Sequence, residues 1–191
     1  MIDILTEDAI VVGLHHHLGN FSMYRLPWIV ETYPEYISRR FEPATISVNA
    51  LSNIVNDMYP IKDEEKSLVL QMVERGKRLY LLSLLLPDKE PYRLIGYSEK
   101  QLKACYAHEA EIWDLFLQNQ LLRSADLNLI KNYIGESPKT VELGEDAPGN
   151  IGSFAGWQIV KKFMEKHPEL KPEQLMQTDD EKVFQEARYK P

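Results

Sequence analysis

Three consecutive histidines, His15, His16 and His17, are the residues of this sequence that most directly suggest metal binding. The β-branched run before them predicts a strand over residues 4–18, in which alternate side chains point to opposite faces. His15 and His17 would then share one face, so at most two of the three imidazoles could bind the same ion, and further ligands would have to come from elsewhere. We favour the simpler interpretation, in which these imidazoles are hydrogen-bonded or solvated at the end of a strand.

His108 and Glu109 begin like the zinc-protease motif His-Glu-x-x-His, in which two histidines one helical turn apart bind the ion. The residue one turn after His108 is Ile112, so the second histidine of the motif is missing. We therefore predict that His108 and Glu109 lie on a solvated helix face.

Glu74 lies in the middle of the strongest helical pattern of the sequence. Its carboxylate could bind a metal ion, act as a base or pair with Lys77 or Arg78, which follow within about one turn; we predict the ion pair. Gly76, in the same helix, costs about 1 kcal/mol relative to alanine. That cost indicates that the glycine is there for close packing, and Gly156 in a later helical pattern is interpreted in the same way.

Nucleophile and phosphate-binding motifs are missing from the sequence, which has neither a Gly-x-Ser-x-Gly elbow nor a phosphate-binding glycine loop. Cys105 is the only cysteine, so no intramolecular disulfide can form. Because it lies on the apolar face of a predicted helix, we interpret it as a core residue.

The length and composition of the chain indicate the kind of fold that positions these residues. A chain of 191 residues, 44% hydrophobic and 27% charged, predicts one folded domain spanning residues 1–191. The longest apolar stretch, residues 79–86, is far shorter than the roughly 20 residues of a transmembrane helix. A net charge of −7 without a basic cluster disfavours nucleic-acid binding.

Apolar periodicity and capping signals predict a mainly α (α+β) fold with a small N-terminal β element. We predict a weak helical region over residues 26–40, broken by Pro27 and Pro34. We predict helices over residues 45–59, 63–86, 98–116, 126–134 and 153–168, and two short helices after them. Residues 136–150 are rich in Gly, Pro and acidic residues, which predicts an ordered loop or a short hairpin.

Short motifs along the whole chain resemble those of one family. They include PEYISRRF at residues 34–41, IGYS at residues 95–98 and PGNIG at residues 148–152. Together with Gln101 and residues 12–19, 72–80, 84–88, 109–113, 156–160 and 189–191, they resemble, in order, the motifs of GldB-type gliding-motility lipoproteins. The position that is aspartate in the first of these family motifs is His15 here.

The resemblance implies a lipoprotein of the Bacteroidetes cell envelope whose C-terminal region is similar to predicted zinc proteases. Residues 51–57 (LSNIVND) stand where those proteases carry their histidine helix, and Glu74 stands at their third zinc ligand. Since one glutamate without the two histidines cannot hold zinc, the resemblance implies a multi-helical, degenerate metalloprotease-like domain with no cofactor. We expect the natural N-terminal portion, with any lipid anchor, to lie outside this sequence; with such an anchor the domain faces the periplasm, and without it the protein is cytoplasmic.

Three functional hypotheses follow. The first is a non-catalytic interaction or scaffold domain with protein partners in the envelope and a cleft formed by Glu74, Lys77, Tyr80, Glu109 and Trp157. The second is a metal-dependent hydrolase with a zinc site rebuilt from His15, His17, Glu74 and His108. The third is a small-ligand pocket lined by aromatic residues that are equally good core residues, namely Tyr80, Trp113 and Trp157.

Overall fold

The computed structural model describes residues 3–19, 26–61 and 65–191. The sheet within these ranges is one antiparallel pair, β1 (Asp3–Leu5) and β2 (Ile10–Val12). The α-helices are α1 (Pro27–Thr32), α2 (Glu35–Ser38), α3 (Ile46–Met58), α4 (Leu68–Leu85), α5 (Pro91–Ile95), α6 (Glu99–Ala107), α7 (Glu109–Gln118), α8 (Leu127–Ile134), α9 (Ile151–Lys166), α10 (Pro172–Gln177) and α11 (Asp180–Ala187). The predicted fold class, mainly α with a small N-terminal β element, is confirmed.

The single strand predicted over residues 4–18 is wrong. Thr6 and Ala9 close a turn, in which Thr6 N donates to Ala9 O at 2.9 Å and Ala9 N donates to Thr6 Oγ1 at 3.0 Å. After β2, residues Leu14–His16 form a turn of 3-10 helix. Polar residues at the turn compete with the strand for backbone hydrogen bonds, so the β-branched run folds back on itself as a hairpin.

Local signals predicted most of the helices, and the break predicted at Pro34 is confirmed, since it separates α1 from α2. Three corrections are needed, the first of which is that α5 was not predicted. The predicted helix 98–116 is two helices, because the chain leaves helical geometry at His108 between α6 and α7. The helix predicted from residue 63 begins at Leu68 with Ser67 at its N-cap position, and Asp63 lies outside the described residues. None of the helices within the described ranges is both long enough and apolar enough to cross a lipid bilayer.

The centre of the fold is the contact between α4 and α9. A Cβ atom added to Gly76 would lie 2.2 Å from the carbonyl oxygen of Gly156, and one added to Gly156 would lie 1.7 Å from the carbonyl oxygen of Met72. The two helix backbones therefore touch, which confirms the predicted packing role of both glycines. Most of α9 is buried, and its side chains pack with those of α4 in one continuous core.

We expect Gly156→Ala to lower the free energy of unfolding by about 3 kcal/mol, because the added methyl group must push two backbones apart. Urea denaturation measures the loss. Exposed Ala104 in α6 supplies the control for helix propensity. Ala104→Gly should cost about 1 kcal/mol, because alanine is intrinsically favoured over glycine in a helix. Helix propensity alone would therefore make Gly156→Ala stabilising, so a loss of stability at position 156 has to be steric. A Gly156→Ala variant as stable as the natural protein would contradict the close contact.

Candidate functional site

Glu74 and Lys77 are joined by a network of buried charges between α4 and α11. Arg78 Nη2 donates to Glu74 Oε1 at 2.7 Å, and Lys66 Nζ lies 3.3 Å from Glu74 Oε2. Lys66 Nζ also donates to Asp180 Oδ2 at 2.7 Å, and Lys77 Nζ lies 2.7 Å from Asp180 Oδ1. The predicted ion pair of Glu74 with Arg78 is confirmed, whereas Lys77 pairs with Asp180. We call these five residues the charge network.

The charge network compensates the positive charge of Lys77, which lies in the core. Only 2% of the Lys77 side chain is exposed, and its ammonium also donates to the carbonyl oxygen of Thr178. Burial of Lys66 acts to lower its pKa, but hydrogen bonding and the negative charge of Asp180, with that of Glu74, raise the pKa overall. A buried ammonium is tolerated only when it is compensated in this way. Sequence reasoning missed Lys66 and Asp180, which are 114 positions apart and share no local pattern.

The histidines proposed as metal ligands have separate surroundings. His17 is buried, with Nε2 3.1 Å from Asn49 Nδ2, whereas His15 is exposed. The idea that they share one face of a strand is therefore wrong, because this part of the chain is helical. His108 is exposed, with Nδ1 3.1 Å from Glu111 Oε1. In the part of the chain that the structure describes, no three His, Cys, Asp or Glu side chains are grouped so that they could hold a metal ion.

The remaining predicted cleft residues do not join Glu74 and Lys77. Glu109 accepts a hydrogen bond from the hydroxyl of Tyr189, so it is less solvated than predicted. Trp157 is fully buried in α9, where the ammonium of Lys161 lies 4.1 Å from the centre of its ring. Tyr80 is partly buried at the edge of the core. Glu109, Trp157 and Tyr80 therefore contribute to packing in different places.

The aromatic and thiol side chains considered for chemistry are also core residues. Trp113 is buried and packs edge-on against Tyr189, with ring centres 4.9 Å apart. Cys105 is buried as predicted, and burial raises the pKa of its thiol to about 12. The reactive thiolate form is therefore scarce at neutral pH.

Three sequence motifs that are far apart in the chain meet around a cavity. Arg39, at the end of α2, donates through Nη1 to Gln101 Oε1 at 2.7 Å. The hydroxyl of Tyr97 donates to the carbonyl oxygen of Gly149 at 3.1 Å. Gly96 has a φ of +81°, and a Cβ there would lie 2.8 Å from Cδ of Arg40. The segments at residues 34–41, 95–101 and 148–152 thus form one structural unit.

The cavity beside this unit has a volume of about 270 Å³, and we call it the arginine cleft. The charged residues that line it are Arg39, Arg40, Arg93, Glu35, Glu42 and Glu99. Burial, together with the charge of Arg40, lowers the pKa of Arg39, and the carboxylate of Glu35 acts in the opposite direction. Sequence reasoning placed Arg39 and Arg40 in a motif but did not single them out as site residues.

A second feature is a group of exposed apolar side chains near the N-terminus. Trp28 is 67% exposed, and Val11, which lies opposite Ile4 in the hairpin, is 52% exposed. We use the name N-terminal apolar surface for the exposed apolar residues of this segment, of which Ile4 and Val11 share one face of the hairpin; the others are Ile10, Leu14, Leu18, Leu26, Trp28 and Val30. Between positions 4 and 38 the acidic residues of the sequence are Glu7, Asp8, Glu31 and Glu35, and the one lysine or arginine is Arg25, which lies outside the described residues.

These features define a mainly α-helical domain with a small hairpin, a buried charge network, and an arginine cleft beside the unit that three motif segments form. The family model described as gliding motility protein GldB matches residues 2–191. The chain therefore belongs to the GldB family of gliding motility proteins, and the resemblance inferred from the motifs is confirmed. No curated protein and no solved structure matches the chain in the other two comparisons.

We expect Asp180→Asn to lower the free energy of unfolding by about 3 to 5 kcal/mol, because it leaves the buried ammonium of Lys77 without its counter-charge. Chemical denaturation of the variant measures this loss. Glu181→Gln is the matched control, since Glu181 neighbours Asp180 in α11 but forms a more exposed pair with Arg123. It should cost no more than about 1 kcal/mol. Equal losses from the two variants would show that the charge network does not stabilise the fold.

Proposed function

We propose that this protein is a non-catalytic interaction or scaffold component of the cell envelope that binds another protein through the N-terminal apolar surface. That surface is the observation that carries the proposal. Contiguous exposed apolar patches mark sites of association, and the many exposed apolar residues within this short segment support such a patch here. Trp28 supplies the kind of large side chain that dominates binding energy at protein interfaces.

The charges around the surface indicate the chemistry of the partner. Glu7, Asp8 and Glu31 outnumber Arg25 among the charged residues of this segment, so a complementary partner has an apolar patch with a basic rim. The same acidic residues would be repelled by anionic phospholipid headgroups. A protein partner therefore fits this surface better than a lipid bilayer.

The surroundings of Glu74 support the non-catalytic part of the proposal. At the position that the resemblance assigns to a zinc ligand, the carboxylate is hydrogen-bonded to Arg78 and lies beside Lys66. Ser52 and Asn56, on the helix that corresponds to the histidine helix, line a cavity of about 190 Å³ together with Arg78. Fixed cations at such short distances oppose binding of a divalent cation. These contacts support a degenerate metalloprotease-like domain.

Family membership supports the location. GldB proteins are associated with gliding motility, and the family's lipoprotein character favours a lipid-anchored position at the Bacteroidetes cell envelope, facing the periplasm. An interaction domain at that position can hold a partner beside the membrane without a transmembrane helix of its own.

The apolar surface is tested by the double substitution Val11→Thr and Trp28→Ser, with Leu127→Ser and Val141→Ser as the matched control. Leu127 and Val141 are 71% and 73% exposed and lie outside the N-terminal apolar surface, so neither double variant should lose more than about 1 kcal/mol of stability. Crosslinking in the native cell envelope, followed by titration of the purified partner, measures binding. We expect the surface variant to bind at least about tenfold more weakly, a loss of about 1.4 kcal/mol, and the control to bind normally.

Two results would contradict this proposal. One is a partner that binds both double variants equally well. The other is binding of the natural protein to anionic phospholipid vesicles that is abolished by the surface variant, since the acidic rim predicts repulsion from such vesicles.

A further inference from the structure

We propose that the arginine cleft binds the carboxylate group of a small amino-acid- or peptide-type ligand, and that Arg39 recognises it. This site is separate from the N-terminal apolar surface, because no residue that lines the cleft belongs to that surface. The proposal therefore stands or falls independently of the proposed protein partner.

Arg39 is a charged group whose described hydrogen-bond acceptors are all neutral. Its Nη1 donates to the amide oxygen of Gln101 at 2.7 Å, and its Nε donates to the backbone carbonyl oxygen of Glu35 at 3.2 Å. Among the described ion pairs none includes Arg39, although its guanidinium is half-buried beside a cavity. A guanidinium has five N–H donors in one plane, and the described bonds use Nε and Nη1, so Nη2 keeps its donors for a ligand.

The other two arginines of the cleft already have carboxylate partners. Arg40 pairs with Glu136, and Arg93 lies 3.2 Å from Glu42 Oε2 and 3.1 Å from Glu90 Oε2. Arg39 is thus the member of the set that can gain most from an incoming carboxylate. Two parallel N–H···O bonds from a guanidinium to a carboxylate are among the strongest hydrogen-bonded contacts that side chains make.

The balance of charge in the cleft favours a carboxylate over a phosphate. Three glutamates, Glu35, Glu42 and Glu99, line the same cavity as the three arginines. These glutamates would repel a doubly charged phosphate more strongly than a ligand with a single carboxylate charge. Exposed Glu35, one turn before Arg39, is placed to attract an ammonium group, so a zwitterion suits the cleft best.

The size and construction of the cleft fit a small ligand. A volume of about 270 Å³ lies just below the usual range for small-molecule sites and accommodates an amino acid or a dipeptide. Gln101 is fixed by its capping box, in which Gln101 N donates to Ser98 Oγ at 3.2 Å and Ser98 N donates to Gln101 Oε1 at 3.0 Å. The same Oε1 atom holds Arg39, so the guanidinium is oriented before any ligand arrives, and such preorganisation raises affinity.

Titration of the purified protein with alanyl-alanine and with its C-terminal amide tests the proposal. Isothermal calorimetry and the NMR shifts of the Gln101 side-chain amide report binding at the cleft. We expect a millimolar or tighter dissociation constant for the free acid and at least tenfold weaker binding of the amide, which lacks the second carboxylate oxygen. Free alanine and inorganic phosphate are titrated in the same way. Free alanine shows whether an amino acid suffices or a peptide is required, and phosphate tests the preference for a carboxylate.

Variants at Arg39 connect the binding to the guanidinium. Arg39→Gln should weaken binding of alanyl-alanine at least tenfold and Arg39→Lys by less, because lysine keeps the charge but not the two-bond geometry. Arg123→Gln, at an arginine outside the cleft, should leave binding unchanged. Equal binding of acid and amide, tighter binding of phosphate, or no binding would each overturn the proposal. The comparison of acid with amide uses the natural protein and decides the question even if an Arg39 variant does not fold.

Discussion

The direct contact between the backbones of α4 and α9 is the constraint on which the rest of the structure depends. Because Gly76 and Gly156 bring these helices together without intervening side chains, the residues on either side of Gly76 have fixed positions. Lys77 is held inside the protein at 2% exposure, where its charge requires Asp180 on α11. The close packing of two helices thus determines where the third must lie, and the charge network follows from that packing.

This arrangement also gives Glu74 its role. A carboxylate that is largely removed from water needs cations or hydrogen-bond donors around it, and here they are the side chains of Arg78 and Lys66. Protein side chains of the network therefore supply the positive charge that the carboxylate requires. A helix used in this way stabilises the fold, and the two binding sites that we propose, the N-terminal apolar surface and the arginine cleft, lie outside the charge network.

Local features of the sequence predicted the local features of the fold. Helix caps such as Ser98 with Gln101, and glycines placed at a cost inside helices, have physical causes that lie within a few residues of each other. The hairpin was missed because the turn at residues 6–9 was read as part of one β-branched run. Contacts between residues that are far apart in the sequence leave no local pattern. The ion pairs of Asp180 with Lys66 and Lys77 could therefore not be predicted. Arg39 and Gln101 were visible as motif residues, but only the fold shows that their motifs meet.

The central claim is that side-chain cations, and not a metal ion, compensate the charge of Glu74. The most direct test compares the free energy of unfolding of the natural protein and of Glu74→Gln, each with excess EDTA and with excess zinc. The structure predicts that the substitution costs roughly 3 kcal/mol and that the cost is the same in both conditions, since the lost partners are Arg78 and Lys66. Zinc that stabilises the natural protein at one ion per chain but has no effect on the variant would contradict the account.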